Sequence, residues 1–348
     1  MQVFEGLDSR LRQNLVFLFA TGFSFWSSLA SLLPTLPLYI QDVAGGTKQE
    51  IGIVMGAFAI GLLCFRASLG RLADQRSRTL VLLIGLSAAA IAPLCYIVVQ
   101  SIPLLMVVRA FHGISIAAFT TGYSTLVVDL SPPGNRGEVI GYMSLVNPIG
   151  MAVGPALGGF LQVEVGYTSL FLLSSGLAVL GLACTSRIQE RSPNRERLPE
   201  VEANVAPPVQ SQFWHLLASP RVRVPALVLA LIGLVFGTLS TFVPLYIDQQ
   251  NIPLNVGLFY TTAAIASFSV RLITGRASDR IGRGLFITIS LAFYGISMGM
   301  LWAANSAVAF LLTAFIQGLG SGILIPMMAA LMADRSYWQE RARVFSLC

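Results

Sequence analysis

Apolar residues run through this chain in long unbroken stretches, and polar residues gather in short segments between them. Each stretch holds about 20 residues or more, the length that a helix needs to cross the hydrocarbon of a bilayer. A membrane β-strand would instead alternate apolar with polar residues. We therefore predict ten transmembrane helices, called spans 1 to 10 below, at residues 15–40, 50–69, 79–99, 103–128, 138–162, 168–186, 224–247, 256–274, 285–304 and 306–332.

Composition supports this class of protein. Of the 348 residues, 55% are hydrophobic and 11% are charged, whereas a soluble domain carries about a quarter charged residues. The mean hydropathy is +0.74. The first stretch follows a short polar start, MQVFEGLDSRLRQN, without a small-residue cleavage site after a short apolar core. This pattern favours a spanning helix over a removable signal peptide.

Positive charge is concentrated on one side of the predicted membrane. Of the 22 Lys and Arg residues, all but two fall on the side of the N-terminus; Lys48 lies on the opposite side and Arg109 lies within span 4. Basic segments remain in the cytoplasm. We therefore expect a multi-pass protein of the plasma (inner) membrane with both termini cytoplasmic. The sequence pI of about 9.4 follows from this topology and requires no nucleic-acid partner.

Two charged segments repeat each other 205 positions apart. RASLGRLADQRSR at Arg66–Arg78 and RLITGRASDRIGR at Arg271–Arg283 share arginine, glycine, arginine, aspartate and arginine at the same five places. The tetrapeptide PLYI also recurs, two residues beyond this offset. The offset relates further residues: Gly113 to Gly318, Asp129 to Asp334, and Arg136 to Arg341. Two homologous halves that both start in the cytoplasm are parallel repeats.

The repeat divides the chain into three units. Residues 1–185 form a predicted six-helix bundle, and residues 186–222 form a polar, proline-containing cytoplasmic linker without apolar periodicity. Residues 223–348 form a second bundle with four spans. The counterparts of spans 5 and 6 would fall near 343–391, so we expect this bundle to lack two helices. Truncation, a frameshift and a fragmentary gene are the explanations left open.

These motifs resemble signatures of the major facilitator superfamily, and the resemblance covers the whole chain. GRLADQRSR (Gly70–Arg78) and GRASDRIGR (Gly275–Arg283) are similar to its repeated cytoplasmic-loop signature, although Ser77 replaces a usual glycine. RAFHGISIAA (Arg109–Ala118) is similar to the fourth-helix signature. GMAVGPALGG (Gly150–Gly159) is similar to a fifth-helix signature of drug and metabolite exporters. The resemblance implies an all-α membrane protein with two helical bundles, here six plus four spans.

The resemblance also implies that each charged segment is a latch, which holds the bundles together on the cytoplasmic side while the transporter is open outward. The predicted latch residues are Gly70, Arg71, Asp74, Arg78, Asp129 and Arg136 in the first half, and Gly275, Arg276, Asp279, Arg283, Asp334 and Arg341 in the second. In the family the first latch docks on an eleventh helix, so we expect it to be impaired here. The simpler interpretation is that the arginines only set the topology.

The two loop aspartates can also stabilise helix ends. We expect Asp74 and Asp279 to lie between helices, where a carboxylate accepts backbone N–H groups at the positive end of a helix. Exposed ion pairs are worth only about 0–1 kcal/mol each, which suits contacts that break in every transport cycle.

Arg109 and His112 are the candidate residues for the substrate or proton pathway. Arg109 lies about six residues from the outer end of span 4, roughly 9–10 Å deep at 1.5 Å per residue. A charge at that depth normally faces the bundle interior or a water-filled cavity. His112 follows on the same helix face and replaces the glutamine usual in the family, which Gln317 supplies in the second half. The alternatives are that Arg109 snorkels outward and that His112 packs as a neutral side chain bonded to a backbone carbonyl.

The acidic residues restrict the substrate. All 16 lie in loops or at span ends, so nothing anionic lines the expected cavity. A neutral, amphipathic or anionic solute is therefore favoured over an organic cation. If transport is coupled to protons, Arg109 and His112 participate, or the acid lies in the absent helices. Residues that can supply polar and aromatic contacts are Ser24, Trp26, Ser28, Tyr123, Asn147 and Gln317.

The fifth-helix motif has a structural interpretation of its own. Gly150, Gly154 and Gly158 recur every four residues, a spacing of small residues that lets a neighbouring helix approach closely. Pro148 and Pro155 are expected to bend the helix. The functional interpretation, which the resemblance to exporters suggests, is a bend that seals the transport path. The motif ends at Gly159.

The sequence therefore predicts a secondary active transporter that moves a small solute by alternating access, with the lipid bilayer as its surroundings. Efflux, in exchange for protons if coupled, follows from the fifth-helix resemblance. Uptake of a sugar or metabolite is one alternative, and a non-transporting remnant is another. The chain has no nucleophile–base pairing or phosphate loop, and its four cysteines lack metal-ligand spacing. We expect no enzyme activity, cofactor or metal.

Overall fold

The computed structural model describes residues 8–132, 134–189 and 220–335. Side chains are described throughout these ranges except at residues 220–222, 275–276, 279–280, 329–330 and 332–335. Every regular element in the described ranges is a helix. Twelve helices there make up ten segments that are long and apolar enough to cross a membrane. The ten predicted spans are confirmed.

Most spans are a few residues longer in the structure than the apolar runs. Span 1 comprises Ser9–Ser31 and Leu36–Asp42, and span 5 comprises Arg136–Ser144 and Val146–Val165. The other spans are single helices: span 2 at Lys48–Gln75, span 3 at Arg78–Val98, span 4 at Ile102–Leu130, span 6 at Tyr167–Thr185, span 7 at Pro220–Gln249, span 8 at Val256–Ile281, span 9 at Arg283–Ala303 and span 10 at Ala307–Arg335.

Prolines explain the two interrupted spans. A proline lacks the amide that would bond the carbonyl four residues earlier. Pro148 removes this bond from the carbonyl of Ser144, where the first helix of span 5 ends. Pro34 does the same in span 1, which turns over residues 32–35 before Leu36 restarts it. Pro155, which is also expected to bend span 5, lies inside the continuous helix Val146–Val165, and its bend stays a prediction.

The charged segments are mostly helical, which corrects the expectation for their aspartates. Asp74 lies in the last turn of span 2 and Asp279 lies within span 8, so neither stands between helices. The caps come from other residues. Ser77 has an extended backbone, and its hydroxyl accepts a hydrogen bond from the amide of Leu80 at 3.1 Å. Gly282 occupies the equivalent place with a φ of 102°, a conformation that favours glycine.

The first half is a bundle of six spans. Span 1 packs along spans 5 and 6, span 3 packs along spans 4 and 6, and span 2 packs along span 4. Hydroxyl groups join spans 1 and 6, because the Ser28 hydroxyl donates to the carbonyl of Ser174 at 2.7 Å and Thr21 lies 3.1 Å from Thr185 between their hydroxyl oxygens. Ser28, a candidate for substrate contact, is therefore used in packing.

The second half repeats this packing as far as it extends. A Cβ at Gly113 would meet the carbonyl oxygen of Phe58, and a Cβ at Gly318 would meet that of Ala263. Ala263 lies 205 residues after Phe58, so the offset found in the sequence also relates the contacts. The second bundle begins at Pro220, three residues before the predicted boundary. Most of the predicted linker, from residue 190 to 219, lies outside the described residues.

Candidate functional site in the membrane-spanning bundle

Span 4 carries a buried cation. Arg109 stands seven residues after the start of the helix at Ile102, about 10 Å along its axis at 1.5 Å per residue. Its exposed fraction is 6%, and that of His112 is 0%. Arg109 therefore does not snorkel to the surface. Both side chains lie inside the first bundle, between spans 2, 3 and 4.

Three side chains surround this cation. The ring nitrogen Nδ1 of His112 lies 3.2 Å from the hydroxyl oxygen of Tyr96 and 3.4 Å from Nη1 of Arg109. The guanidinium carbon of Arg109 lies 4.4 Å from the centre of the Phe58 ring, a cation–π distance. His112 is thus bonded to side chains and not to a backbone carbonyl. The described residues include no acidic partner for Arg109.

The chemistry of these groups fixes the protons. A guanidinium only donates hydrogen bonds, so Nδ1 of His112 is the acceptor of the bond from Arg109. The proton of the neutral ring then lies on Nε2. Nε2 of His112 and Nε of Arg109 are both buried, and neither has a hydrogen-bond partner among the described residues. The cluster therefore holds two buried donors without acceptors. Because unpaired buried donors are costly, binding of an acceptor or an anion there would be favourable.

Glycines bring the elements of this cluster together. A Cβ at Gly61 of span 2 would overlap the carbonyl oxygen of Ala110, and a Cβ at Gly113 would overlap that of Phe58. Only glycine allows such close backbone contact, which places Phe58 beside Arg109. In the second half, Ala314 stands 205 residues after Arg109, and Ala263 after Phe58. The cation and its aromatic partner therefore belong to the first half alone.

The other candidate pathway residues do not contact this cluster. Tyr123 stacks on Phe119 at 5.1 Å between ring centres, and its hydroxyl donates to the carbonyl of Met143 at 3.0 Å. Trp26 meets the Phe119 ring edge to face at 6.2 Å. Phe119 also stacks on Phe25 at 3.7 Å. These rings form an aromatic stack between spans 1 and 4. The stack lies on the side of Arg109 toward the described ends of the first and last spans, Ser9 and Arg335, which is called the side of the termini below.

The remaining polar candidates stand apart. Asn147 is half-buried at the start of the second helix of span 5, and Gln317 is buried in span 10. The described part of the chain shows no hydrogen-bond partner for either side-chain amide. Ser24 is buried in span 1. Tyr96 and Phe58 were missed from the sequence because each is an ordinary apolar-run residue until the helices are packed.

The glycines of the fifth-helix motif contact two different helices. Gly150, Gly154 and Gly158 lie against span 1, where a Cβ at Gly154 would come within 2.6 Å of the carbonyl oxygen of Ser27. Gly159 faces span 8 of the other half, where its Cβ would lie 2.9 Å from the amide of Gly257 and overlap Asn255. The motif therefore holds the first bundle together and also joins the two halves.

Span 5 and span 8 form the main contact between the halves in the described structure. The hydroxyl of Thr261 donates to the carbonyl of Ala152 at 2.8 Å. A Cβ at Gly257 would overlap the carbonyl oxygen of Pro155. These residues belong to the parts of both spans that are remote from the termini. The halves are thus closed against each other on the side opposite the termini.

Two polar pairs on that same side were not predicted. The amide nitrogen of Gln41 donates to the carboxylate of Asp248 at 3.2 Å, and Nζ of Lys48 donates to Oε1 of Gln249 at 2.7 Å. Each pair joins one half to the other. Their sequence signal is weak, because isolated polar residues at span ends are ordinary features of solvent-facing loops.

The charged segment of the first half contains an ion pair. The guanidinium of Arg78 contacts the carboxylate of Asp129, and both side chains are about one-third exposed. Arg136 donates to the carbonyl of Val128 at 3.5 Å. Asp74 is exposed, and the described residues include no ion-pair partner for it. The expected network of Asp74, Arg78 and Asp129 is therefore reduced to its last two members.

The structure gives only positions for the other predicted latch residues, without contacts that would show a role. Gly70 and Arg71 belong to the terminal turns of span 2, and a Cβ at Gly70 would meet no atom within 4 Å. Arg283 is half-buried at the start of span 9. The side chains of the remaining members of the second latch lie outside the described residues: Gly275, Arg276, Asp279, Asp334 and Arg341. The role of both latches stays a prediction.

The fold and the buried polar cluster define a membrane transporter with two related bundles. The sequence profile of the Major Facilitator Superfamily matches residues 17–348. The chain therefore belongs to this superfamily, as its motifs indicated, and it is a secondary transporter of the membrane and not an enzyme. Within the described residues, no group of three or more His, Cys, Asp or Glu side chains could hold a metal ion.

Two relatives cover most of the chain. An uncharacterized MFS-type transporter of Salmonella typhimurium is 28% identical over 312 residues, which are 87% of this chain and 76% of that protein. The quinolone resistance protein NorA of Staphylococcus aureus is 25% identical over 324 residues, which are 91% of this chain and 80% of NorA. The similarity to NorA fits the resemblance to drug exporters.

Solved structures share the fold at low identity. A point mutant of the nucleoside transporter NupG superposes with a TM-score of 0.81 at 14% identity, over 96% of this chain and 86% of that chain. A bacterial homolog of the human lysosomal transporter Spinster, inward-facing and unoccupied, superposes with a TM-score of 0.77 at 15% identity, over 98% of this chain and 79% of that chain. The two-bundle architecture is thereby confirmed.

Proposed function

We propose that this transporter exports flat aromatic or amphipathic solutes that carry a carboxylate or another strong hydrogen-bond acceptor, in exchange for protons. The observation that carries the proposal is the pair of buried donors, Nε of Arg109 and Nε2 of His112, without partners among the described residues. A carboxylate satisfies two such donors, whereas an organic cation would be repelled by the arginine.

The export direction rests on two supports. The fifth-helix motif, which is similar to that of exporters, contacts span 8 of the other half through Gly159. We propose that the two halves move against each other at this contact. NorA, with which the chain aligns over 91% of its length, is named for quinolone resistance. Quinolones are flat aromatic acids, the chemistry that we propose for the solute of the cluster and the nearby aromatic stack.

His112 supplies a route for proton coupling. Its Nδ1 accepts bonds from Arg109 and Tyr96. A proton bound at Nδ1 converts that acceptor into a donor, so the bond from Arg109 breaks and two positive charges then stand side by side, while the Tyr96 hydroxyl can turn and accept from Nδ1. Proton binding and release of the arginine are therefore linked. The arginine is freed to bind an anionic solute when the histidine is charged, and it returns to the ring when the proton leaves.

In the proposed cycle, the two halves close alternately on the outer side and on the cytoplasmic side of the membrane. The halves are closed here on the side opposite the termini, which we propose is the outer side because basic residues gather at the other end. The Arg78–Asp129 pair, at the cytoplasmic end, joins spans 3 and 4 within the first half and is already formed in this conformation. We propose that it holds the first charged segment in place for the latch of the outward-open state. Because the two buried donors are inaccessible in this conformation, a solute reaches them only after helices of the first bundle move.

The test is flux of a fluorescent quinolone in proteoliposomes, with and without a pH gradient, after vesicle orientation has been measured by protease cleavage of an N-terminal tag. We expect a proton gradient to drive quinolone in the direction opposite to proton flow. Arg109→Gln should lower flux by roughly tenfold or more, because a charge-assisted hydrogen bond is worth about 1.5–3 kcal/mol.

His112→Gln is the sharper variant, since glutamine keeps an acceptor but cannot bind the proton. Flux down a quinolone gradient should persist while its dependence on the pH gradient disappears. Tyr96→Phe, which removes one of the bonds to Nδ1, is the matched control and should retain pH dependence. Full flux in Arg109→Gln, or unchanged pH dependence in His112→Gln, would contradict the proposed pathway. Flux of sugars in the same direction as proton flow, without flux of quinolones, would instead support uptake.

A further inference from the structure

Span 8 carries a second cation within the membrane. Arg271 stands 15 residues after the start of the helix at Val256 and ten residues before its end at Ile281, about 22 Å and 15 Å along the axis at 1.5 Å per residue. It lies in the part of this helix that is apolar enough to cross a membrane. A charge at such a depth normally faces the bundle interior or a water-filled cavity.

The contacts of span 8 show the direction of Arg271. Thr261 faces span 5 of the first half, where its hydroxyl donates to the carbonyl of Ala152. Ser267 faces span 10, where its carbonyl oxygen lies 2.5 Å from the Cβ position of Gly322. Successive residues of a helix are about 100° apart around its axis, so Arg271 lies about 40° from Ser267 and about 80° from Thr261, between the two directions. It therefore stands on the side of span 8 that faces spans 5 and 10.

The other side of span 8 faces lipid. Ile265, Leu272 and Ile273 are 55%, 69% and 73% exposed, as expected of apolar side chains on the outside of a membrane helix. Arg271 is about 100° or more away from each of them around the axis. Its side chain is half-buried, and its Nε atom is buried without a hydrogen-bond partner among the described residues. A buried donor of this kind favours the binding of an anion.

The internal repeat supplies a comparison for this residue. Arg66 of span 2 stands 205 residues before Arg271, and its side chain is exposed. The two arginines share their place in the repeated charged segment, but only Arg271 has a buried nitrogen without a partner among the described residues. The unpaired donor is therefore a feature of the second half, as Arg109 is a feature of the first.

Arg271 and Arg109 stand at different depths. Spans 4 and 8 both start on the side opposite the termini. Arg109 follows the start of its span by seven residues and Arg271 by 15, so Arg271 lies about 12 Å nearer the side of the termini. The halves are closed on the opposite side in this conformation. A solute that enters between the halves from the side of the termini therefore reaches the depth of Arg271 first.

We infer that Arg271 is a second anion-binding site, which takes the carboxylate of an aromatic solute from the side of the termini before that solute reaches Arg109. The inference rests on the proposed function, in which the solute is such an acid. A guanidinium binds a carboxylate through two parallel hydrogen bonds, and the free Nε of Arg271 is one donor of such a pair. Arg271 then sets the affinity of the entry step, whereas Arg109 acts in the step that follows.

The first test is equilibrium binding to the purified chain in lipid nanodiscs, which requires neither a transport direction nor a proton gradient. The probes are a fluorescent quinolone acid without a basic group and its methyl ester. Arg271→Gln should raise the Kd of the acid by about tenfold, a change of 1.4 kcal/mol. The Kd of the ester should stay the same, which also shows that the variant is folded.

Two matched variants accompany this measurement. Arg66→Gln removes the exposed counterpart and should bind both probes as the parent does. Arg271→Lys keeps the charge and loses only the paired geometry of the guanidinium, so it should bind the acid more tightly than Arg271→Gln does. An unchanged Kd of the acid in Arg271→Gln, equal weakening of the acid and the ester, or an equal effect of Arg66→Gln would each overturn the inference.

Flux separates this site from the proposed function. With the acid supplied on the side of the termini, Arg271→Gln should raise KM by about tenfold and leave the maximal rate near that of the parent, whereas Arg109→Gln should lower the maximal rate. Loss of flux in Arg109→Gln with an unchanged KM in Arg271→Gln would overturn the inference and leave the proposed function standing. Full flux in Arg109→Gln with a raised KM in Arg271→Gln would contradict the proposed pathway and support the site at Arg271.

Discussion

Gly159 and Gly257 lie in backbone contact across the boundary between the two halves. A Cβ on Gly159 would stand 2.9 Å from the amide nitrogen of Gly257, and a Cβ on Gly257 would overlap the carbonyl oxygen of Pro155. The two glycines belong to different halves of the repeat, so in the proposed cycle they separate when the halves rotate apart. We therefore expect this contact in one conformation only. A larger side chain at either glycine would prevent the contact, and its effect on flux tests the transport cycle.

Gly159→Leu should block closure on this side while each bundle remains folded. Forcing extra side-chain atoms into a tight contact costs about 1–3 kcal/mol, which shifts the equilibrium between the two conformations by roughly five- to 150-fold. We expect quinolone flux to fall by about tenfold or more, with normal elution from a gel-filtration column. Gly141→Ala in the same span is the control, because no atom lies within 4 Å of its Cβ position. Equal loss in both variants would mean that span 5 tolerates no substitution, and the contact would have no special role.

The Arg78–Asp129 pair should affect transport more than stability. Both side chains are about one-third exposed, and such a pair is worth about 0–1 kcal/mol. Asp129→Asn should lower the flux several-fold, with a thermal midpoint within measurement error of the parent. Arg78→Asp combined with Asp129→Arg should recover part of the flux, since the exchange restores the attraction. Arg76→Gln, on an exposed neighbour of the pair, should leave flux unchanged. No recovery in the double exchange would show that the positions act separately.

The spans could be predicted from the sequence because continuous apolar runs have one explanation at this length. The repeat could also be predicted, because Asp74 and Asp279 and the residues around them match at a single offset of 205. The interruption of span 5 also has a sequence cause in Pro148, although the pattern alone did not distinguish a bend from a break. Local chemistry therefore determined which residues are helical and approximately where each helix ends.

Contacts between helices could not be predicted in this way. The rotation of span 5 decides that Gly158 meets span 1 while Gly159 meets span 8, and two adjacent glycines carry no signal that separates them. Phe58 and Tyr96 became partners of Arg109 only through packing. Asp74 does not pair with Arg78 in the described structure, because it lies in the last turn of span 2 and is exposed there. Whether the two residues join in the outward-open state stays a prediction.

Gly282 and Ser77 should respond unequally when they are exchanged. Gly282→Ser places a side chain at a φ of 102°, and a residue held in such a sparsely populated region costs about 1–3 kcal/mol. No atom lies within 4 Å of the Cβ position, so the cost is one of backbone alone. Ser77→Gly loses only a cap, a change worth a few tenths of a kcal/mol. Thermal unfolding in detergent should show a clear drop for Gly282→Ser and little change for Ser77→Gly. Equal midpoints would contradict the role of the positive φ.

The pairs on the side opposite the termini give the most direct test of alternating access. Gln41 and Asp248 belong to different halves and are hydrogen-bonded at 3.2 Å. Cysteines at both positions, in a chain whose four native cysteines are replaced by alanine or serine, can be joined by a short bifunctional thiol reagent. The halves are then tied on this side, so the transporter cannot open there. Flux should fall to the level of empty vesicles, and a reductant that cleaves the reagent should restore it.

A second pair on the same side is a matched control for this lock. The hydroxyl of Tyr167 donates to the carboxylate of Asp42 at 2.6 Å, and both residues belong to the first half. Cysteines at these two positions, treated with the same reagent, tie span 1 to span 6 without joining the halves. Flux should therefore persist after crosslinking at 42 and 167 and stop after crosslinking at 41 and 248. If both crosslinks stop transport, movement within the first bundle is required, and rotation of two rigid halves is not a sufficient description of the cycle.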